Sequence, residues 1–167
     1  LTAETIDGDG FLLTGDRGEQ DEQGRLKITG RVKELFKTAK GKYVAPAPIE
    51  NRLLLHDAIE MACVSGSGFP KPYAMIVLSD DVLARIADAS EKEAIANSLV
   101  EHLRAVNKEL DQHEQLGFLA VIGKPWSVEN GMLTPTMKLR RPAIEAEYGP
   151  QAESWAEKKE PVQWVSG

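Results

Sequence analysis

The sequence predicts an α+β domain, a mixed β-sheet packed by helices, and three observations carry that expectation. Residues 59–64, 73–78 and 118–122 are apolar, β-prone runs of strand length bounded by turn residues. Ser65-Gly66-Ser67-Gly68-Phe69-Pro70-Lys71-Pro72, dense in turn formers, joins the first two runs and makes them an antiparallel pair. Between the second and third, the period switches to helical: Ile95, Leu99, Leu103, Val106 and Leu110 recur on one face.

Taken in order, Phe11, Leu12, Leu13 and Thr14 form a short apolar strand candidate, Asp21-Glu22-Gln23-Gly24 a turn, and Arg25-Leu26-Lys27-Ile28 an alternating strand, together a hairpin. Residues 35–38 continue as a strand, Ala39-Lys40-Gly41-Lys42 breaks the pattern, and Tyr43-Val44 resumes it. Pro46 and Pro48 open a helix, where a missing N–H costs nothing, and it should run to about Leu55. Val82, Leu83 and Ile86 mark a short amphipathic helix, and Ser90 with Glu93 offers a capping box for the long helix that follows. A last helix is expected from about Pro142 through Glu145 and Tyr148. The tail from Pro161 to Gly167 lacks period and is expected to be poorly ordered, with Trp155 and Trp164 available to dock it.

With 167 residues the chain is long enough for one domain with its own core. The net charge is −6, and the 20 basic residues are interleaved with 26 acidic ones, so no continuous basic face suggests nucleic acid. One cysteine, Cys63, excludes an internal disulfide and any multi-cysteine metal site; its apolar surroundings read as a buried, inert thiol. His56, His102 and His113 lack Cys or Asp partners at ligand spacing, and no metal is assigned. No signal peptide and no apolar run of about 20 residues is present, so a cytoplasmic location is expected. The first residue is Leu1, and neither a Gly-x-x-x-x-Gly-Lys-Ser/Thr loop nor a Gly-x-Gly-x-x-Gly fingerprint occurs, so the chain reads as the C-terminal end of a longer protein.

The segment from Ile28 to Glu50 stands apart, with a glycine joint, Gly30-Arg31-Val32-Lys33, between the hairpin and the self-contained run that follows. Thr14-Gly15-Asp16, Gly30-Arg31-Val32-Lys33-Glu34, Gly41-Lys42-Tyr43-Val44 with Pro48-Ile49-Glu50, and Gly131-Met132-Leu133-Thr134-Pro135-Thr136-Met137-Lys138 occur in one order. That order resembles the adenylate-forming acyl-CoA synthetases, the luciferase superfamily, in the form usual for AMP-forming long-chain fatty acid ligases, and it covers nearly the whole chain.

The resemblance implies a small C-terminal lid domain, residues 31–167, preceded by a hairpin, residues 1–30, that ends the large adenylation domain, with a hinge at 30–33. It implies a full-length ligase that uses ATP to convert a fatty acid to an acyl-adenylate, releasing pyrophosphate, and passes the acyl group to coenzyme A. Magnesium would be held mainly by the large domain. The fragment alone is expected to be inactive; peripheral membrane association and oligomeric state stay open. An adenylating enzyme for another acid or acceptor, and a non-catalytic lid-like interaction domain, are the rival readings.

Residue by residue, the resemblance implies that Asp16 receives ribose hydroxyls, for which an acceptor-only carboxylate is suited. By residue type alone Asp16 equally fits a turn aspartate. Arg31 offers a planar fork of donors for ribose and phosphate, and otherwise a surface ion pair. Lys33 matches the hinge, where backbone rotation and not the side chain matters. Gly41, Lys42 and Tyr43 match the loop lining the coenzyme A channel; Lys42 and Lys40 by themselves read as solvated lysines. Lys138 matches the adenylation lysine: an ammonium between acyl carboxylate and α-phosphate offsets their repulsion. On its own motif it reads as a surface lysine. Its stretch, rich in Pro and Thr, is expected to be an extended loop, and Arg140 and Arg141 are expected to solvate the helix after it.

Overall fold

The computed structural model describes residues 5–165. Its centre is a four-stranded mixed sheet, preceded in the chain by two separate two-stranded ladders. A first hairpin pairs β1 (Asp16–Gln20) with β2 (Leu26–Arg31), and a second, two-residue ladder pairs β3 (Phe36–Lys37) with β4 (Tyr43–Val44). Helix α1 (Pro46–Leu53) leads into β5 (Ile59–Ser65) and β6 (Tyr73–Leu78), which pair antiparallel. Helices α2 (Asp80–Arg85) and α3 (Ala89–Lys108) then carry the chain to β7 (Leu119–Ile122), parallel to β6. Helices α4 (Arg141–Tyr148) and α5 (Ala152–Lys158) precede β8 (Val162–Val165), which lies parallel to β7, giving the order β5-β6-β7-β8.

The α+β expectation therefore holds, and its cause is the two-residue period of the strands. On β6, Ala74, Ile76 and Leu78 face one core and Tyr73, Met75 and Val77 face another. A strand buried on both faces reads as a continuous apolar run, as 73–78 does. The first core receives Ile49 and Leu53 of α1, Val82 of α2 and Leu99, Leu103 and Val106 of α3. The second receives Ile144 and Tyr148 of α4 with Ala152 and Trp155 of α5. In the second core Tyr73 stacks on Phe118 at 5.1 Å between ring centroids, and Trp155 meets both edge-on.

Several expectations need correction. The first strand is not residues 11–14, which pair only locally through the Ile6–Leu12 bridge and backbone bonds to residues 5 and 7, but residues 16–20. The turn at Asp21 is as expected: its carboxylate accepts from Gln23 N, Arg25 N and Arg25 Nε, a closed local network that selects the turn. Helix α3 is capped by Asp88, whose carboxylate accepts from Ser90 N and Glu91 N, and not by Ser90 with Glu93. The helix at 141–148 is not the last, because α5 follows it.

The tail is ordered through Val165, and parallel pairing explains why its pattern was silent. Val162, Gln163 and Val165 are all buried, so alternation of polarity is lost. Gln163 is tolerated at 1 % exposure because its amide donates to Glu160 O at 2.9 Å. Trp164 lies under the ammonium of Lys92 at 4.6 Å. Ser166 and Gly167 lie outside the described residues.

Candidate functional site

Asp16 and Arg31 are opposite one another in the first hairpin, and Arg31 Nε donates to Asp16 Oδ1 at 3.0 Å. The pairing is set by Gly30, whose φ of 151° few L side chains adopt, and by Val32 N, which donates to Gly15 O at 2.9 Å. Both side chains are partly exposed, 60 % for Arg31 and 29 % for Asp16. Such a pair contributes roughly 0–1 kcal/mol, so either group is free energetically to exchange its partner for a nucleotide's hydroxyls or phosphate.

The chain turns immediately afterwards. Val32–Glu34 is a single 3₁₀ turn in which Lys33 is exposed, with extended backbone at Arg31 and Leu35 on either side. An exposed turn of three residues between two extended ones is the kind of segment that can absorb a backbone rotation.

Gly41, Lys42 and Tyr43 close the turn between β3 and β4. Gly41 has φ 76° and donates its N–H to Thr38 O at 2.9 Å, and Thr38 N donates to Lys42 O at 2.9 Å. The buried Thr38 hydroxyl adds two longer bonds to Lys42, so the loop is a tight turn with its side chains outside. Tyr43 is 60 % exposed, with the Lys37 ammonium 5.5 Å from its ring.

Lys138 sits at the end of a closed loop, not an extended one. Leu133 and Leu139 bridge its stem, Thr134 N donates to Lys138 O at 2.8 Å, and Met137 N donates to Thr134 O at 2.8 Å. The hydroxyl of Thr134 accepts from Lys138 N at 3.1 Å. Pro135 and the threonines do oppose helix, but their hydroxyls turn the chain back on itself and drive Met137 to φ 60°. Leu133 is buried at 2 % exposure while Lys138 is exposed, so the ammonium projects from the base of an anchored loop. No ion pair joins it to Asp16, which is paired with Arg31, among the described residues.

The sequence reading missed Arg141 and Glu50, and the expectation that Arg141 merely solvates its helix is wrong. Arg141, the first residue of α4, has a side chain only 14 % exposed. Its Nη2 lies 2.8 Å from Glu50 Oε1 and 3.9 Å from Glu34 Oε2, and its Nη1 donates to Val64 O at 2.7 Å and to Cys63 Sγ at 3.2 Å. Glu50 Oε1 also accepts from Val64 N at 2.7 Å. Burial pushes the Glu50 carboxyl up from its ordinary range, and the adjacent guanidinium and the Val64 N–H pull it back. Burial likewise pushes the Cys63 thiol up, to about 12. A signal was present: Pro46, Ile49, Glu50 and Leu53 lie at i, i+3, i+4 and i+7, so Glu50 belongs to the buried face of α1 and needs a partner.

Two further groups were read as isolated. His56 and His102 meet at 5.0 Å between ring centroids; His56 Nδ1 accepts from Ala58 N at 3.1 Å, and His102 Nε2 faces the Arg52 and Leu53 carbonyls that end α1. His102 thus sits at the end of the helix, with His56 packed against it. Among the described residues no group of three or more His, Cys, Asp or Glu is gathered to hold a metal ion, and no helix is long and apolar enough to cross a membrane.

Residues 34–160 match the family described as AMP-binding enzyme C-terminal domain, and the chain belongs to that family. Long-chain-fatty-acid–CoA ligase 1 of Cavia porcellus is 36% identical over 156 residues, 86% of this chain and 22% of that protein. The peroxisomal long chain acyl-CoA synthetase 7 of Arabidopsis thaliana is 34% identical over 161 residues, 88% of this chain and 23% of that protein. Among solved structures, the adenylation domain of a carboxylate reductase from Mycobacterium chelonae superposes with a TM-score of 0.80 at 31% identity, over 93% of this chain and 24% of that one. The chain thus spans less than a quarter of the length of each of these proteins.

Proposed function

We propose that this chain is the C-terminal portion, the lid with the end of the large domain, of a larger AMP-forming ligase that joins long-chain fatty acids to coenzyme A. The observation that carries the reading is how the candidate groups are distributed. Asp16 and Arg31 pair on the hairpin before the turn at Lys33, and Lys138 is held exposed on an anchored loop after it. That distribution supports a site completed by another body.

In this reading residues 1–30 end the large domain, residues 31–167 form the lid, and the chain swings about 30–33. Asp16 and Arg31 hold the nucleotide ribose and phosphate. A carboxylate oxygen of the fatty acid attacks the α-phosphorus and pyrophosphate leaves; Lys138 offsets the charge that gathers between the two anions. The lid then turns, the loop of Gly41, Lys42 and Tyr43 comes to line the thiol's approach, the sulfur attacks the acyl carbonyl and AMP leaves. Magnesium would screen the triphosphate when bound, and this reading assigns its ligands mainly to the large domain. The fatty acid and long-chain specificity rest on the identity to the ligases above.

A second reading, an adenylating enzyme for another carboxylic acid or acceptor, is favoured by the likeness to the carboxylate reductase adenylation domain. One experiment separates them: ATP–pyrophosphate exchange by the full-length protein against a panel of carboxylic acids, with thioester formation measured in parallel. Exchange strongest with long-chain fatty acids, followed by their coenzyme A thioesters, supports the ligase. Exchange confined to other acids, or no thioester with coenzyme A, supports the second reading.

A further inference from the structure

The network around Arg141 joins three parts of the molecule that the mechanism needs to move together. Only Leu139 and Arg140 separate Lys138 from Arg141, and both are fixed: Leu139 bridges Leu133, Arg140 N donates to Met132 O at 2.8 Å, and Arg140 Nη1 donates to Gly131 O at 2.9 Å. The loop that carries Lys138 therefore has its far end in the guanidinium of Arg141. That guanidinium reaches Glu50 on α1, the helix after the Gly41 loop, and Glu34, the residue next to Lys33.

Helix stability does not explain an arginine at this position. At the first residue of a helix a cation opposes the helix dipole, and α4 has no side-chain cap to compensate. Nor is a buried ion pair an efficient source of stability, since desolvation offsets much of the attraction. What such a pair supplies is a fixed geometry, here two acidic partners, a strand carbonyl and a fork of donors in a plane.

We propose that Arg141 is a positioning residue for adenylation: it ties the Lys138 loop to the lid side of the hinge through Glu50 and Glu34, so that a turn at Lys33 moves Lys138 as part of one rigid body. The inference rests on the function proposed above. It predicts a defect transmitted through Lys138 and felt in the first half-reaction.

The test is a double-mutant cycle in the full-length protein, with Arg141→Lys, Lys138→Ala and both together, each assayed by single-turnover acyl-adenylate formation and by thioester formation from supplied acyl-adenylate. Lysine keeps the charge and loses the fork. Arg141→Lys should slow adenylation by on the order of 10 to 10²-fold, the scale of a misplacement of about 1 Å, while thioester formation changes little. In the Lys138→Ala background the same substitution should slow adenylation no further, because its route is already gone. Equal slowing in both backgrounds, equal slowing of both half-reactions, or no slowing would overturn the proposal while leaving the role of Lys138 standing. Lys138→Ala without effect would instead sink the underlying reading. Glu34→Gln keeps the test decisive if Arg141→Lys does not fold, since Glu34 is 44 % exposed and its loss buries no new charge. It should slow adenylation in the wild-type background and not in Lys138→Ala; an unchanged rate would refute the link to the hinge.

Discussion

Replacing Gly66 by alanine tests the turn that joins β5 to β6 and abuts Phe36 of β3. Gly66 has φ 139°, and a Cβ there would lie 2.8 Å from Pro72 Cα, 3.4 Å from Lys71 O and 3.5 Å from the Phe36 ring. The nearest obstacle is backbone, which no rotamer change removes. Gly68, two residues on, has φ 76° and nothing within 4 Å of its own notional Cβ. Gly68→Ala thus isolates backbone strain, about 1–2 kcal/mol, of which roughly 0.4–1 kcal/mol is recovered by restricting the unfolded chain. Gly66→Ala carries backbone strain of roughly 1–3 kcal/mol together with overpacking of about 1–3 kcal/mol, for a total near 3–4 kcal/mol. At roughly 2–4 °C per kcal/mol for a chain of this size, Tm should fall by about 6–16 °C for Gly66→Ala and by no more than a few degrees for Gly68→Ala. Thermal melting of the three proteins, with urea unfolding as the equilibrium check, decides it. A Gly66→Ala protein as stable as Gly68→Ala would refute the reasoning.

Three other outcomes are expected. Cys63, fully buried and with its thiol pushed up to about 12, should resist alkylation by iodoacetamide at pH 8 in the folded chain and react after denaturation; fast labelling of the native protein would show the strand edge opens. Burial and then the neighbouring His102 hold His56 below its ordinary value, so its contribution to stability is present above about pH 6.5 and lost as pH falls toward the folded value. The raised carboxyl of Glu50 works the other way, so the measurement is the difference between wild type and His56→Gln in urea unfolding from pH 7.5 to 5.5; a variant with the wild-type slope contradicts the assignment. Lys33→Pro in the full-length protein fixes φ near −65° and should slow one half-reaction far more than the other; equal losses would mean that Lys33 is no hinge.

The layers of the fold were legible because apolar runs at 59–64, 73–78 and 118–122 and the helical stripe from Ile95 to Leu110 are strong, local signals. What failed were cases decided by partners distant in sequence. Residues 162–165 carry no alternation since β7 along one edge and the cores on its two faces bury three of the four, and Phe11 to Leu13 are apolar yet exposed at 56–71 %, pairing only locally, with residues 5–7. Asp88 lost to Ser90 as a cap in the reading only because the capping box is the better known pattern; an aspartate two residues earlier satisfies the same N–H groups. At the candidate site, Asp16 and Arg31 were named separately and proved to be directly paired, which register alone determines. Arg141 was misjudged because the residues that bury it, Glu34, Glu50 and Val64, are distant in sequence, although Glu50 on a buried stripe already asked for a cation.

The central claim is that Lys138 serves adenylation and is carried away from it for thioester formation. Single-turnover acyl-adenylate formation by full-length Lys138→Ala, beside thioester formation from synthetic acyl-adenylate in the same preparation, tests it most directly. Removing one preorganised charge-stabilising donor costs on the order of 10² to 10³ in rate, so adenylation should fall by at least that factor while thioester formation stays within a few-fold of wild type. The loop is closed by backbone and threonine bonds that alanine leaves intact, so charge is separated from fold. Similar losses in both steps would contradict the account and make Lys138 a structural residue or a ligand common to both.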